Sequence, residues 1–294
     1  MAAIVPHCDD ISPIIPYLYL GNYRAATNPT LLRNNGIRHV MSILSEREAI
    51  SPDFKVETIQ YKMVVKFDLP GEDMLLTLPE CIEHLTTITK SQQGLLVHCM
   101  MGVSRSATVV LGFLMKTNGW PFEKALQVLI SCRSVVNPNF GFRAQLRLFD
   151  RMGFRLDINN KELRLYMLNA IAFRNYTEQF HQNVVEYLRR LEALERTESA
   201  TNQLSYTTVF RCVRCSRPVF TDLNLLEPHQ HGGITTGGLM TGGSPMSALV
   251  PESNSCKYFL IEPIIWMIER DVLTSFPGNS TGKIPCPHCN ALME

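Results

Sequence analysis

The sequence predicts an α/β protein, a mostly parallel sheet flanked by helices, followed by a small β-rich metal-binding module. Three observations carry this. In the first half, short apolar, β-branched runs alternate with helix-period runs. A glycine-bearing loop, His98 to Ser106, joins one strand-like run, Gly94 to Val97, to a helix-like run, Ala107 to Lys116. Near the end, two C-x2-C motifs, Cys212/Cys215 and Cys286/Cys289, answer each other across a long intervening segment.

Helical periodicity places helices over Leu75 to Thr89, Ala107 to Lys116, Phe122 to Cys132 and Phe142 to Met152. Strands separated by helices of this length imply crossover connections, and hence parallel pairing. After Gly153 the texture changes. Lys161 to Leu194 is rich in Leu, Arg, Glu and Tyr at helical spacing, which predicts one or two amphipathic helices leaving the core; the heptad pattern is too short and irregular for a coiled coil. Thr197 to Ser205 is small and polar and reads as a linker. Beyond it, Tyr258 to Ile261 is strand-like, Ile264 to Ile268 is apolar, and Gly232 to Ser244 is a Gly/Thr-rich loop without the lysine that a phosphate-binding glycine loop requires. The expected division is 1–155 for the α/β domain, 156–205 for a helical linker and 206–294 for the metal-binding module.

Composition excludes several functions. With 294 residues and 45% hydrophobic content the chain can build one ordinary domain and a smaller one. A formal net charge of +1 gives no bulk attraction to nucleic acid or anionic membrane, so direct nucleic-acid binding is not expected. Met1 to Pro13 lacks the basic flank and apolar core of a signal peptide, and no apolar run approaches the ~20 residues needed to cross a bilayer. A soluble chain of the cytoplasm or nucleus is expected. Its nine cysteines then read as metal ligands, catalytic groups and core fillers rather than disulfides; Cys8, Cys81 and Cys132 are assigned to the core.

The chemistry concentrates at His98-Cys99-Met100-Met101-Gly102-Val103-Ser104-Arg105-Ser106. A loop that becomes a helix N-terminus presents unpaired N–H groups and the positive end of the helix dipole, so it cradles a phosphate dianion. Cys99 would feel that field together with the Arg105 guanidinium, the surroundings in which cysteines react as thiolates. Arg105 offers a planar fork matching two phosphate oxygens, Gly102 lets the backbone approach the ligand, and Ser104 and Ser106 supply hydroxyls, Ser106 being assigned to hydrogen-bond the departing thiolate. The substrate-binding set is thus Met100, Met101, Gly102, Val103, Ser104 and Arg105. His98 reads as an orienting residue rather than a base.

These residues resemble the Cys-based protein phosphatases, and the dual-specificity branch most closely. The resemblance implies the Cys-based phosphatase fold and a two-step mechanism. Cys99 attacks phosphorus, an aspartate from a separate loop protonates the leaving oxygen, and water then hydrolyses the phosphocysteine with that aspartate as base. The family places this aspartate about thirty residues upstream of the cysteine. Asp68 lies 31 upstream (99 − 68) in the turn-like stretch Phe67-Asp68-Leu69-Pro70-Gly71, which reads as a mobile acid loop; its rival Asp73 is placed at the start of the next helix. Ile14 to Asn22 resembles the family's opening strand and turn, and Gly36 to Leu44 its next buried strand. Asn137 to Phe142 resembles the segment opening the last core helix, with Asn139 bracing the phosphate loop or capping that helix. The resemblance covers roughly residues 12 to 152. One departure is Met101, where the branch usually has alanine: its side chain either points away from the pocket or narrows it.

Four thiolates from Cys212, Cys215, Cys286 and Cys289 suit the tetrahedral preference of structural zinc, and one ion is expected. Catalysis itself needs no cofactor. His229, His231 and Cys256 leave open whether part of that set is replaced or a second site begins. A phosphatase domain followed by Tyr258 to Met267 and a Cys-rich module resembles the zinc-tailed members of the branch. Those usually continue into a further Cys-rich segment, whereas this sequence ends at Glu294, and a truncated or divergent form is one reading of it. Phosphoprotein substrates are the expected partners, acting through phosphotyrosine and phosphoserine or phosphothreonine. The alternatives are a lipid or RNA-end phosphatase, disfavoured by the apolar Met100, Met101 and Val103, and an assembly role through the zinc module, which the resemblance to the zinc-tailed members implies would lie in large ribosomal subunit maturation.

Overall fold

A computed structural model describes residues 10–174, 188–189, 208–226, 260–264, 266–267 and 284–293. The chain forms two compact units, Met1–Leu156 and Asp157–Glu294.

The first unit is built on a five-stranded sheet of order β1-β2-β5-β3-β4. Strands β2 (Leu18–Gly21), β5 (Gly94–His98), β3 (Ile37–Leu44) and β4 (Gln60–Val65) run parallel, and β1 (Ile11–Ile15) pairs antiparallel with β2. The opening segment, expected as one strand and turn, is therefore a hairpin, with Tyr17 at a φ of 69° in its turn. Two short helices absent from the sequence reading follow, α1 (Tyr23–Ala26) and α2 (Pro29–Asn34). Asn22 and Asn28 cap them with their side-chain oxygens, and Pro29 starts the second with its φ already helical. Ala25, Ala26 and Leu32 pack with Ile37, Val40 and Leu96 into one cluster.

Four longer helices complete the unit: α3 (Leu78–Lys90), α4 (Arg105–Asn118), α5 (Phe122–Cys132) and α6 (Phe140–Arg151). The run expected from Leu75 opens instead with a 3-10 turn, Leu75–Thr77. Helix α4 contacts α3, α5 and α6, and every residue from Arg105 to Met115 is buried. Its closeness to α3 depends on Gly112, where a β-carbon would come within 2.8 Å of Leu78 Cδ2. Gly119 then ends the helix at a φ of 63°, a conformation that costs glycine little.

In the second unit, α7 (Lys161–Arg174) is tied to the Cys-rich part by charge rather than standing free as a linker. Arg164 forms a buried two-point pair with Glu262, Nε donating to Oε2 at 3.0 Å and Nη2 to Oε1, and Asn224 donates to the same carboxylate at 2.8 Å. Short antiparallel pairs follow: β6 (Val209–Arg211) with β7 (Pro218–Thr221), β8 (Leu225–Leu226) with β9 (Leu260–Ile261), and β10 (Ile284–Pro285) with β11 (Leu292–Met293). The helices expected toward Leu194, the linker from Thr197 and the Gly/Thr-rich loop lie wholly or largely outside the described residues.

Candidate active site

Strand β5 carries the chain to the carboxyl end of the sheet between β2 and β3, and all five of its residues are buried. The loop from Cys99 to Ser104 then turns into α4, so its amides stand at a helix N-terminus. Gly102 makes the turn possible: φ is 67°, and a β-carbon there would overlap the Gly21 carbonyl and sit 2.9 Å from Arg133 Nη2. Every carbonyl from Cys99 to Val103 is taken by a donor outside that stretch. Cys99 accepts from His98 Nδ1 at 3.2 Å, Met100 from Tyr23 N at 3.1 Å, Met101 and Gly102 from Arg133 Nη2 and Nε at 3.3 and 3.0 Å, and Val103 from Asn137 N at 2.9 Å. The amide hydrogens are left for the inner face.

Cys99 Sγ lies in that cradle, accepting from Gly102 N at 3.3 Å and from Ser106 Oγ at 3.1 Å. Arg105 is 4% exposed and is held by Glu48, with Nη1 to Oε2 at 2.6 Å and Nη2 to Oε1 at 3.2 Å, while Nη1 also reaches the Lys66 carbonyl at 3.2 Å. Its Nε is the one buried side-chain nitrogen or oxygen without a hydrogen-bond partner among the described residues. The terminal fork is thus spent on Glu48, and the side-on fork of Nε and the second Nη2 hydrogen is what remains for an anion. The Glu48 carboxyl is pulled from 4.5 down to about 2 by its Arg105 hydrogen bond, against the opposing effect of burial and with help from Ser45. Burial works against the Arg105 cation, but the Glu48 hydrogen bond and nearby negative groups raise its pKa, so it stays charged.

Asp68, on the loop after β4, reaches the cradle. Its Oδ1 accepts from Ser104 Oγ at 2.7 Å and from Asn139 Nδ2 at 2.9 Å, and Oδ2 is 3.8 Å from Arg105 Nε. The far end of the loop is pinned by Gln145, which accepts from Met74 N and Leu75 N and donates to the Glu72 carbonyl. Pro70 meets Gly141 so closely that a β-carbon there would overlap its carbonyl. Asp73 is elsewhere, 2% exposed and capping the 3-10 turn through Leu76 N at 3.1 Å. Asn139 fills its two expected roles differently. Its side chain caps α6 through Phe142 N at 3.0 Å and holds Asp68, while the loop itself is met by its backbone N, which donates to Ser104 Oγ at 3.1 Å.

His98 is fully buried between the Cys99 carbonyl and Ser42 Oγ, 2.7 Å from Nε2. Burial, reinforced by the Arg105 charge and only partly offset by the Cys99 carbonyl, pushes its pKa down to about 4. The ring is neutral and orients the strand end. Met101 is 66% exposed, so its side chain is open to solvent rather than packed beneath the loop. Cys81 lies in the core of α3, where burial pushes its thiol up to about 12. Glu48 and Arg133 were absent from the sequence reading. The S-x-x-E spacing of Ser45 and Glu48, which forms a capping box here, was the available signal for one, and a cation just past the end of α5 a weak signal for the other.

The second cluster is in the Cys-rich unit. The sulfurs of Cys212, Cys215, Cys286 and Cys289 lie within 4.8 Å of one another. Two matching turns hold them. Cys212 N donates to Arg217 O and Ser216 N to Cys212 O; Cys286 N donates to Ala291 O and Asn290 N to Cys286 O. Each turn exits through a left-handed residue, Ser216 at a φ of 58° and Asn290 at 62°. Trp266 packs on this cluster, its Nε1 donating to the Val219 carbonyl at 2.9 Å. The group can hold a metal ion. His229, His231 and Cys256 lie outside the described residues.

A sulfur at the floor of an amide-lined loop, beside a buried arginine and an aspartate on a neighbouring loop, defines a Cys-based phosphatase site. The family model for the dual specificity phosphatase catalytic domain matches residues 18–152. Over 277 residues the chain is 30% identical to human dual specificity protein phosphatase 12, covering 94% of this chain and 78% of that one. It is 26% identical to the tyrosine-protein phosphatase yvh1 of Schizosaccharomyces pombe, covering 96% and 76%. A solved structure, the human tyrosine phosphatase-like serine/threonine/tyrosine-interacting protein, aligns at 30% identity and a TM-score of 0.47, over 49% of this chain and 98% of that one. The chain belongs to the dual-specificity phosphatase family, and within it is similar to the type 12 members along nearly its whole length.

Proposed function

We propose that this chain hydrolyses phosphotyrosine and phosphoserine or phosphothreonine in proteins through a phosphocysteine intermediate. In the first step the Cys99 sulfur forms a bond to phosphorus as the ester P–O bond breaks, and Asp68 gives a proton to the leaving oxygen. In the second, water attacks phosphorus, Asp68 takes its proton, and the sulfur leaves as a thiolate that accepts a hydrogen bond from the Ser106 hydroxyl. Arg105 clamps two equatorial oxygens with the side-on fork, and the loop amides take the rest of the charge. The observation that carries this reading is the buried Arg105 Nε, which makes no hydrogen bond and lies 3.8 Å from Asp68 Oδ2, beside a sulfur already receiving two hydrogen bonds. Support for a peptide rather than a lipid or RNA end comes from the exposed residues next to the site residues. Leu69 follows Asp68, Phe140 follows Asn139, and Met101 precedes Gly102; none offers a charge to a second phosphate.

In the Cys-rich unit we assign a structural zinc to Cys212, Cys215, Cys286 and Cys289. A tetrahedron of Zn–S bonds of about 2.3 Å has edges of roughly 3.8 Å, and the Cys212–Cys289 and Cys215–Cys286 sulfurs are 3.7 and 3.8 Å apart. The ion would hold the two turns together and take no part in catalysis. A thiolate nucleophile and a thiolate metal site both need reduced sulfur, which favours cytoplasm or nucleus.

The test is turnover of an aryl phosphate and of a panel of phosphopeptides, phosphoinositides and triphosphorylated RNA. Cys99→Ser should abolish hydrolysis yet retain oxyanion binding. Asp68→Asn should lose about 100-fold or more with poor leaving groups and less with good ones. Unchanged turnover by Cys99→Ser would remove the nucleophile.

A further inference from the structure

We propose that Arg133 is a positioning residue of the phosphate cradle, a second guanidinium that sets the inward N–H groups of Gly102 and Val103 from behind the loop. The inference rests on reading the Cys99 to Arg105 loop as an oxyanion site. Arg133 follows α5 and is 2% exposed. Its Nη2 donates to the Met101 carbonyl at 3.3 Å, its Nε to the Gly102 carbonyl at 3.0 Å, and its Nη1 to Ser12 Oγ on β1 at 3.2 Å.

The two carbonyls matter because a peptide unit is planar and trans, so its C=O and N–H point in opposite directions. Fixing the Met101 carbonyl on Arg133 fixes the Gly102 N–H on the other side of the same plane. That N–H is the one donating to Cys99 Sγ at 3.3 Å. Fixing the Gly102 carbonyl does the same for the Val103 N–H. Two successive peptide planes are therefore set by one planar fork, which a lysine ammonium would not reproduce. A charged donor on each carbonyl also polarises the peptide and strengthens the N–H it aims at the ligand. The absence of a β-carbon at Gly102 is part of the same arrangement, since one would stand 2.9 Å from Arg133 Nη2. Ser12 anchors the guanidinium to the sheet edge.

The experiment measures tungstate binding by calorimetry to the full-length chain, in a Cys99→Ser background that needs no turnover, with Arg133 intact, as Arg133→Met and as Arg133→Lys. Melting curves accompany each. Two N–H donors that lose their aim at a charged ligand lose two charge-assisted hydrogen bonds, and Arg133→Met should weaken tungstate by about 100-fold. Arg133→Lys keeps the charge but loses the two-carbonyl fork, and should remain about tenfold weaker than the parent. Tungstate affinity within threefold of the parent in a folded Arg133→Met protein would overturn the assignment, whatever its melting temperature. Should Arg133→Met not melt cooperatively, Arg133→Lys decides alone, and parental affinity there overturns it. Aryl phosphate turnover with Cys99 present tests the proposed reaction separately. An inactive parent that still binds tungstate in an Arg133-dependent way would end the phosphatase reading and leave this one standing.

Discussion

Glu48→Gln isolates the support of the catalytic-site arginine without touching any group that would meet substrate. The carboxylate holds Arg105 at 2.6 and 3.2 Å, and that pairing lowers its pKa from 4.5 to about 2. The separation corresponds to about 3 kcal/mol at 1.36 kcal/mol per pH unit. The Glu48 side chain is 27% exposed, so water screens part of this, and about 2 kcal/mol is the working figure. Glutamine can still accept from Nη1, but its amide nitrogen then faces Nη2, and the guanidinium must turn. If the full amount appears in the transition state, kcat/KM for an aryl phosphate at neutral pH falls about 30-fold. Stability carries the same signature with a definite sign. A carboxyl whose folded pKa is depressed stabilises above its free value of 4.5 and loses that contribution as pH falls toward about 2. The gap in melting temperature between the two proteins should be constant near neutrality and close through that acid window. Turnover within threefold of the parent, or a gap that ignores pH, would refute the argument.

Three further outcomes follow from the described geometry. His98 is neutral with a pKa near 4 against a free value of 6.5, so its contribution is complete above 6.5 and lost as pH falls through 4; melting temperature should drop across that interval, and His98→Gln should flatten the drop. Metal analysis should find about one zinc per chain. Chelation should release it and change the emission of Trp266, read in a Trp120→Phe background, because that indole packs on the cysteine cluster; absence of metal from a reduced, folded preparation would end the assignment. Gly141→Ala places a methyl against the Pro70 carbonyl and should displace the acid loop, costing turnover most with poor leaving groups; equal losses for all leaving groups would place the effect elsewhere.

Local chemistry made much of this legible. Helix α5 coincides with its periodic run, Phe122 to Cys132, and the cradle was readable because strand, cysteine, glycine, arginine and helix must follow in one order. What escaped was held by distance in sequence. Glu48 reaches Arg105 across 57 positions, and Arg133 reaches Gly102 across 31. An acidic or basic residue in a loop carries no mark of such a partner. The short α1 and α2 escaped for another reason: four and six residues are too few to show a period, and their asparagine caps are the main local signal. The run from Lys161 reads as amphipathic helix leaving the core from its spacing alone, and that spacing carries no mark of the buried pair between Arg164 and Glu262, 98 positions away.

Met101 joins these threads. The usual small residue at this position suggests a steric requirement, yet here the side chain is 66% exposed while the carbonyl is bound to Arg133. The backbone at this position is what the cradle uses, through the carbonyl bound to Arg133, while the exposed side chain takes no part in that bond. The loop's carbonyls are held by His98, Tyr23, Arg133 and Asn137, and none of these bonds involves the side chains of Met100, Met101 or Val103. Variation at the Met101 side chain should therefore leave the bonds that hold the loop backbone in place.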